Sequence, residues 1–143
     1  MTPYDDQNIF AKILRGEIPA QRIYEDEHTV AIMDVMPQCD GHALVLPKAA
    51  SRNLLDIDEA ALAATLRTAQ RIARAAMQAF AADGVNVMQF NEEAAGQTVF
   101  HTHVHVIPRK AGVPLGQHAR EMAPPEVLAR NADAYRRVLG TQA

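Results

Sequence analysis

Tryptophan is missing from this 143-residue chain, aromatic residues make up only 5% of it, and there is one cysteine. Cys39 therefore has no partner for an intrachain disulfide, and without a second cysteine nearby a metal knuckle is excluded. A reducing compartment, the cytoplasm, is the expectation. No apolar run reaches the roughly 20 residues that span a bilayer; the most apolar region, 60–82, is interrupted by Arg67, Gln70, Arg71, Arg74 and Gln78. The opening residues Met1 to Gln7 have neither the basic nor the apolar part of an export signal. Positive charge is not in excess either: 14 basic residues stand against 17 acidic ones, a net charge of -3, so tight non-specific binding of nucleic acid is not expected. Seven Gly and eight Pro are too few for a low-complexity chain, and 48% hydrophobic with 22% charged residues is ordinary for a globular one. The length suits a single domain over 1–143.

The pattern of residues predicts a mixed α+β order. Ile9, Phe10, Ile13 and Leu14 share a helical stripe that Gly16 stops. Arg22 to Tyr24 and His28 to Asp34 form two strands of a hairpin, and His42 to Leu46, ended by Pro47, forms a third. From Asp58 a helix of ~25 residues and ~37 Å is expected, running to a stop at Asp83-Gly84. Its apolar seam is Leu62, Leu66, Ala69, Ala73, Ala76 and Phe80, most simply a core-packing face. Val85 to Asn91 and Val99 to Ile107 are two further strands, and Glu126 to Leu139 is a terminal helix after Pro124-Pro125.

Histidine is what the chain has in quantity: six in all, three of them in the run Phe100-His101-Thr102-His103-Val104-His105-Val106-Ile107-Pro108. A strand with this alternation places His101, His103 and His105 on one face, with Thr102, Val104 and Val106 on the other. The outer two would lie ~13 Å apart, the scale of an extended ligand. A zinc site would need further ligands from His28, His42, His118 or scattered carboxylates. A nucleophilic site would use one neutral imidazole for attack and its neighbours to hold and protonate the leaving group. A merely solvated polar face is the third reading.

The run Gly96 to Pro108 closely resembles the signature of the histidine-triad (HIT) nucleotide hydrolases and transferases, His-x-His-x-His followed by apolar residues. Upstream, Ile9 to Pro19, Met33 to Gln38 and Gly41 to Lys48 resemble the family's other conserved stretches in the same order, so the likeness extends over roughly residues 8 to 110. The resemblance implies an α+β fold: a five-stranded antiparallel sheet with a short N-terminal helix, a long central helix and a C-terminal helix. On this view 5–110 is the core and 111–143 a C-terminal extension. A homodimer paired across the long helix and a strand is also implied.

By the same resemblance His103 is the nucleophile that attacks the α-phosphorus of a purine nucleotide conjugate and forms a nucleotidyl-histidine. His105 and His42 contact the phosphate, His101 orients the His103 ring through its backbone carbonyl, and Gln97 and Thr98 reach the bridging oxygen or phosphate, with Asn91 beside it. Asp34 accepts hydrogen bonds from the ribose hydroxyls, and Ile9, Phe10, Ile13, Met33 and Val35 clamp the base. His28 and His118 match nothing in the family and are read as surface residues. Many bacterial-type relatives hold a structural zinc at positions that here are Asn8, Ala11 and Ala50, which leaves His101 alone, so no zinc and no required cofactor are expected. The N-terminal half resembles the Hint branch, which cleaves nucleoside phosphoramidates. Pro108 to Gly112 and Ala95 to Val99 resemble the fragile-histidine-triad branch, which cleaves dinucleoside polyphosphates and whose polyphosphate reactions Mg²⁺ can aid. A nucleotide-binding regulator without turnover is the remaining alternative.

Overall fold

The computed structural model describes residues 2–117 and 120–140. Helix α1 (Ile9–Leu14) leads into β1 (Arg22–Glu25), β2 (Thr29–Met33) and β3 (Ala43–Pro47), followed by α2 (Glu59–Ala79), β4 (Gly84–Met88), β5 (Val104–Arg109) and α3 (Pro125–Gly140). The strands form one antiparallel sheet in the order β1-β2-β3-β5-β4, so β5 inserts between β3 and the edge strand β4. This is the five-stranded α+β architecture implied by the histidine signature.

Alternation along the strands divides the interior in two. Ala31, Met33, Val45, Val104 and Val106 face α2 and α3, where Ile72, Ala76, Leu128 and Tyr135 complete the larger core. Val30, Ile32, Leu44 and Leu46 face the other way, against Phe10 and Ile13 of α1. His105 pairs with Leu44 across the β3–β5 ladder and shares that second face. The sheet thus separates the main core from the side on which the histidines collect.

Several boundaries differ from the sequence reading. Helix α2 has 21 residues, capped by the Asp58 carboxylate on the Ala60 and Ala61 amides and closed at Phe80. Its buried stripe runs through Thr65, Thr68, Ala69, Ile72 and Ala76, while Leu66 is 50% exposed. Two threonines can occupy the core because their hydroxyls bond internally, Thr65 to the Ala61 carbonyl and Thr68 to Thr29 at 2.7 Å. Ala69, Ala73, Ala76 and Phe80 of the expected seam pack in the core, while Leu66 lies off it and the two threonines are buried in addition. β5 begins at Val104 and not at Val99. The preceding segment leaves the sheet to follow the chain after β3, tied by the Thr102 amide to the Ser51 carbonyl (2.9 Å) and by the two hydroxyls to each other (2.6 Å). β4 likewise ends at Met88, short of the expected Asn91.

The C-terminal residues are also more than an appendage to the 5–110 core. Tyr135 of α3 is fully buried, packs edge-on against Phe80 and donates a 2.6 Å hydrogen bond to the Gly41 carbonyl. Gly41 has φ +90°, and a Cβ there would lie 2.7 Å from the Phe80 ring, so only glycine fits at this close approach. Tyr135→Phe leaves that buried carbonyl without its donor; urea unfolding is expected to show a loss of about 1–3 kcal/mol at unchanged slope.

Candidate active site

The histidines meet where β2, β3 and β5 come together beside α1. Asp34 follows the last residue of β2 and His42 precedes the first of β3, joined by the Asp34 amide donating to the His42 carbonyl (3.0 Å). His105 lies in β5 and His103 just ahead of it. Their rings make a continuous row: His42 to His105 and His105 to His103 are each 5.1 Å between centroids, and His103 to Phe10 is 4.8 Å. The row expected from the sequence, His101–His103–His105, is thus replaced by His42–His105–His103. His101 turns away because strand alternation does not extend back to it; its ring instead lies between the Pro47 carbonyl and Tyr4.

Hydrogen-bond partners decide where each imidazole carries its proton. Nδ1 of His103 is 2.7 Å from the His101 carbonyl, which can only accept, so the proton is on Nδ1 and the lone pair of the neutral ring is on Nε2. The Gln38 amide donates to Nδ1 of His42 (3.0 Å), so His42 carries its proton on Nε2. That N–H donates to Nδ1 of His105 at 2.8 Å and lies 3.3 Å from a carboxylate oxygen of Asp34. His105 in turn has its proton on Nε2. The result is one ring set up as a nucleophile and, next to it, one presenting an N–H donor.

His103, His105 and Asp34 border a cleft of about 410 Å³ that Ile9, Phe10, Ile13, Met33, Val35 and Thr98 also help to line. Ile9 and Val35 are exposed at its rim, and Thr98 is exposed as well. Met122, Ile18 and Val99 also contribute to the wall and were missed in the sequence reading. Met122 lies outside every family motif; it is brought in because the neighbouring Ala123 amide bonds to the Val35 carbonyl (2.9 Å).

Three expected contact residues are placed elsewhere: His42 is fully buried with both ring nitrogens engaged, by the Gln38 amide and His105, and does not line the cleft. Gln97 is buried and satisfied within the protein, its carbonyl oxygen accepting from Asn53 and the Glu92 amide and its NH₂ donating to the carbonyls of Arg52 and Val99. In this structure it braces the loop ahead of the histidines and does not line the cleft. Arg52 completes the brace with paired hydrogen bonds to Glu92, at 2.8 and 3.0 Å, which hold that carboxyl below its usual range. Asn91 is likewise engaged, accepting from the Leu54 amide and exchanging side-chain bonds with Gln89. His28 is exposed, as expected; His118 lies outside the described residues.

Metal ligation was tested at two places. Asp34, His42 and His105 bring three ligand atoms within 4.8 Å of one another. An ion on Nε2 of His42 would displace its proton while the Gln38 amide still occupies Nδ1, leaving a costly imidazolate, so this trio suits a hydrogen-bond relay. At the zinc position of the resemblance, both nitrogens of His101 are already engaged by Tyr4 and Pro47, and the Asn8 side chain caps α1 and donates to the Tyr4 hydroxyl. The residues there do not fit zinc.

Burial pushes the His101 imidazole below its ordinary pKa of 6.5, against the opposing pull of the Pro47 carbonyl. The unfolded chain takes up this proton as the pH falls through about 6.5, whereas the folded protein binds it only at lower pH. The contribution is complete above that value and is lost as the pH falls. Unfolding free energy is expected to decline more between pH 7 and 5.5 in the wild type than in His101→Asn, by chemical denaturation; equal declines would contradict the assignment.

Comparison with known proteins agrees with this geometry. Residues 15–112 match the HIT domain model. A solved Hit-like protein from Bartonella henselae is 50% identical, with a TM-score of 0.90 over 95% of this chain and 99% of that one. The adenosine 5'-monophosphoramidase HNT1 of Saccharomyces cerevisiae is 37% identical over 116 residues, 79% of this chain and 71% of that protein. The adenylylsulfatase HINT3 of Arabidopsis thaliana is 39% identical over 102 residues, 71% of this chain and 52% of that longer protein. With the match extending over most of its length and two histidines of the signature, His103 and His105, lining one cleft, the chain belongs to the HIT domain family.

Proposed function

We propose that the protein hydrolyses nucleoside phosphoramidates or related nucleotidyl conjugates at the α-phosphorus, with His103 as the nucleophile. The observation that carries this reading is the 2.7 Å contact from Nδ1 of His103 to the His101 carbonyl, which leaves the attacking lone pair on Nε2. Nε2 bonds to phosphorus, the bond from phosphorus to the leaving amine breaks, and the amine departs with a proton from the medium. Water then attacks the nucleotidyl-histidine, releasing the nucleoside monophosphate and restoring the ring. His105 donates from Nε2 to a non-bridging phosphate oxygen, where negative charge grows in the transition state. The His42–Asp34 pair fixes the His105 tautomer.

Asp34 lines the cleft, where the Met36 amide and the His42 ring hold its carboxylate, a group suited to accepting from ribose hydroxyls. The apolar walls from α1 and β2 suit a purine base. Catalysis through an imidazole requires no metal. The names of the yeast and plant relatives favour an adenylyl group attached to nitrogen or sulfate. A dinucleoside polyphosphate is the less favoured substrate, since Arg109 and Lys110, two of the residues behind that likeness, line a separate cleft of about 300 Å³ with Cys39 and Phe80. They bond there to Asn86 and the Ala81 carbonyl. Cys39 is a neutral thiol in that wall, pushed up to about 11 by burial and compatible with a cytoplasmic setting.

The test is turnover on a panel of adenosine phosphoramidate, adenylylated lysine and dinucleoside tri- and tetraphosphates, with and without chelator. His103→Ala is expected to lower kcat by several powers of ten while the Kd for AMP stays nearly unchanged. Asp34→Ala is expected to weaken AMP binding by ~1.5 to 3 kcal/mol, with a smaller effect on kcat. Full activity of His103→Ala, or activity restored only by added Zn²⁺, would contradict the scheme.

A homodimer is part of the same proposal. Leu66 and Met77, three helical turns apart on one side of α2, are 50% and 40% exposed, and Val87 of the neighbouring edge strand is 50% exposed. Sedimentation at micromolar concentration is expected to give about twice the 15.7 kDa chain mass, and Leu66→Glu to lower it; a monomeric wild type would contradict the pairing.

A further inference from the structure

The segment ahead of α1 reaches the active site through Tyr4. Its hydroxyl lies 2.7 Å from Nδ1 of His101, 97 positions along the chain, and the two rings meet edge-on at 5.7 Å. Nε2 of His101 is 2.8 Å from the Pro47 carbonyl, which can only accept, so Nε2 carries the proton and Nδ1 accepts from Tyr4. The Tyr4 oxygen in turn accepts from the Asn8 side chain at 3.0 Å, which directs its own proton toward His101. A single line of bonds thus runs from Asn8 through Tyr4 and His101 to His103.

We propose that Tyr4 is a positioning residue for the hydrolase reaction: by holding the His101 ring it fixes the backbone carbonyl that aims His103. The proposal rests on the hydrolase reading above. The need for such a residue follows from the local chain. His101 precedes β5, so no strand ladder holds its carbonyl. The peptide unit from His101 to Thr102 is anchored on one side by the Thr102 amide bonding to the Ser51 carbonyl at 2.9 Å. The Thr102 hydroxyl adds bonds to Ser51, but all of these contacts lie on the Thr102 side and none of them touches the His101 carbonyl. The His101 side chain supplies the second anchor because it is buried and gripped at both nitrogens, by Pro47 at the end of β3 and by Tyr4. Without the hydroxyl, the ring retains one partner, the carbonyl loses its fixed aim, and His103 can carry its proton on Nε2, the nitrogen that must attack.

Tyr4→Phe keeps the edge-on ring contact and removes only the hydroxyl. Asn8→Asp keeps the oxygen that caps α1 but replaces the donor to Tyr4 with an acceptor that draws the hydroxyl proton away from His101. Both variants are expected to lower kcat about ten-fold while KM stays within about two-fold. Nitrogen-15 NMR of the ring nitrogens provides a readout that needs no substrate. Wild type is expected to show one tautomer each, Nε2–H for His101 and Nδ1–H for His103; in Tyr4→Phe His101 keeps Nε2–H, which the Pro47 carbonyl still fixes, and His103 is expected to show a mixture. A single Nδ1–H tautomer at His103 in Tyr4→Phe would overturn the proposal, and so would a loss expressed mainly in KM. A wild type inert on every nucleotidyl substrate would instead refute the hydrolase reading, while the ring signals would still decide the role of Tyr4.

Discussion

The hydrogen bond from His103 to the backbone carbonyl two residues earlier is the constraint on which the site depends. A neutral imidazole has one nitrogen with a proton and one without, and only the second can attack phosphorus. By occupying Nδ1, the His101 carbonyl leaves the lone pair of a neutral ring on Nε2, the atom the proposed reaction uses, without a charged group. A carbonyl can do this only if the chain holds it still, and much of the surrounding structure bears on that requirement. The Ser51–Thr102 bonds hold one side of the peptide and the grip on the His101 ring holds the other.

The sheet supplies the rest of the geometry. Asp34 and His42 are brought side by side by the β2–β3 ladder, and His105 is set opposite Leu44 by the β3–β5 ladder. Those pairings fix which ring touches which. The tautomer of His105 then follows from a chain beginning at the Gln38 amide, so a backbone group near the surface determines the donor presented beside His103. The loop entering β5 is braced by Arg52, Asn53, Glu92 and Gln97, around a Glu92 backbone with φ of +74°. A strained residue held by several bonds near an active site is a usual mark of positional control.

The parts legible in the sequence were those with a local signal. The histidine run, the clamp residues of α1 and Asp34 could all be named because each lies within a contiguous motif. Other features depend on distant contacts. The α2 seam is legible through Ala69, Ala73, Ala76 and Phe80, but Leu66 lies off it, and Thr65 and Thr68, polar in composition, are buried because their hydroxyls bond internally. The strict alternation of residues 99–107 suggests a longer strand; Ser51, 51 positions ahead of Thr102, diverts its first half out of the sheet. Gln97 was assigned to the ligand since its four bonding partners are scattered over 52–99. Tyr4 carried no signal, being one aromatic residue in a polar leader. α3 appeared as a helix, but its place in the core is visible only through the contacts of Tyr135 with Phe80 and Gly41.

The central claim is that Nε2 of His103 forms the covalent bond to phosphorus. The most direct test traps the intermediate: protein labelled with nitrogen-15 in histidine is mixed with a nucleotidyl substrate and quenched in alkaline denaturant, because a phosphorus–imidazole bond is acid-labile. The isolated peptide is then examined by phosphorus–nitrogen coupling. The account predicts a nucleotidyl group on His103 bonded through Nε2. Attachment through Nδ1, attachment to another residue, or turnover with no covalent intermediate would contradict it.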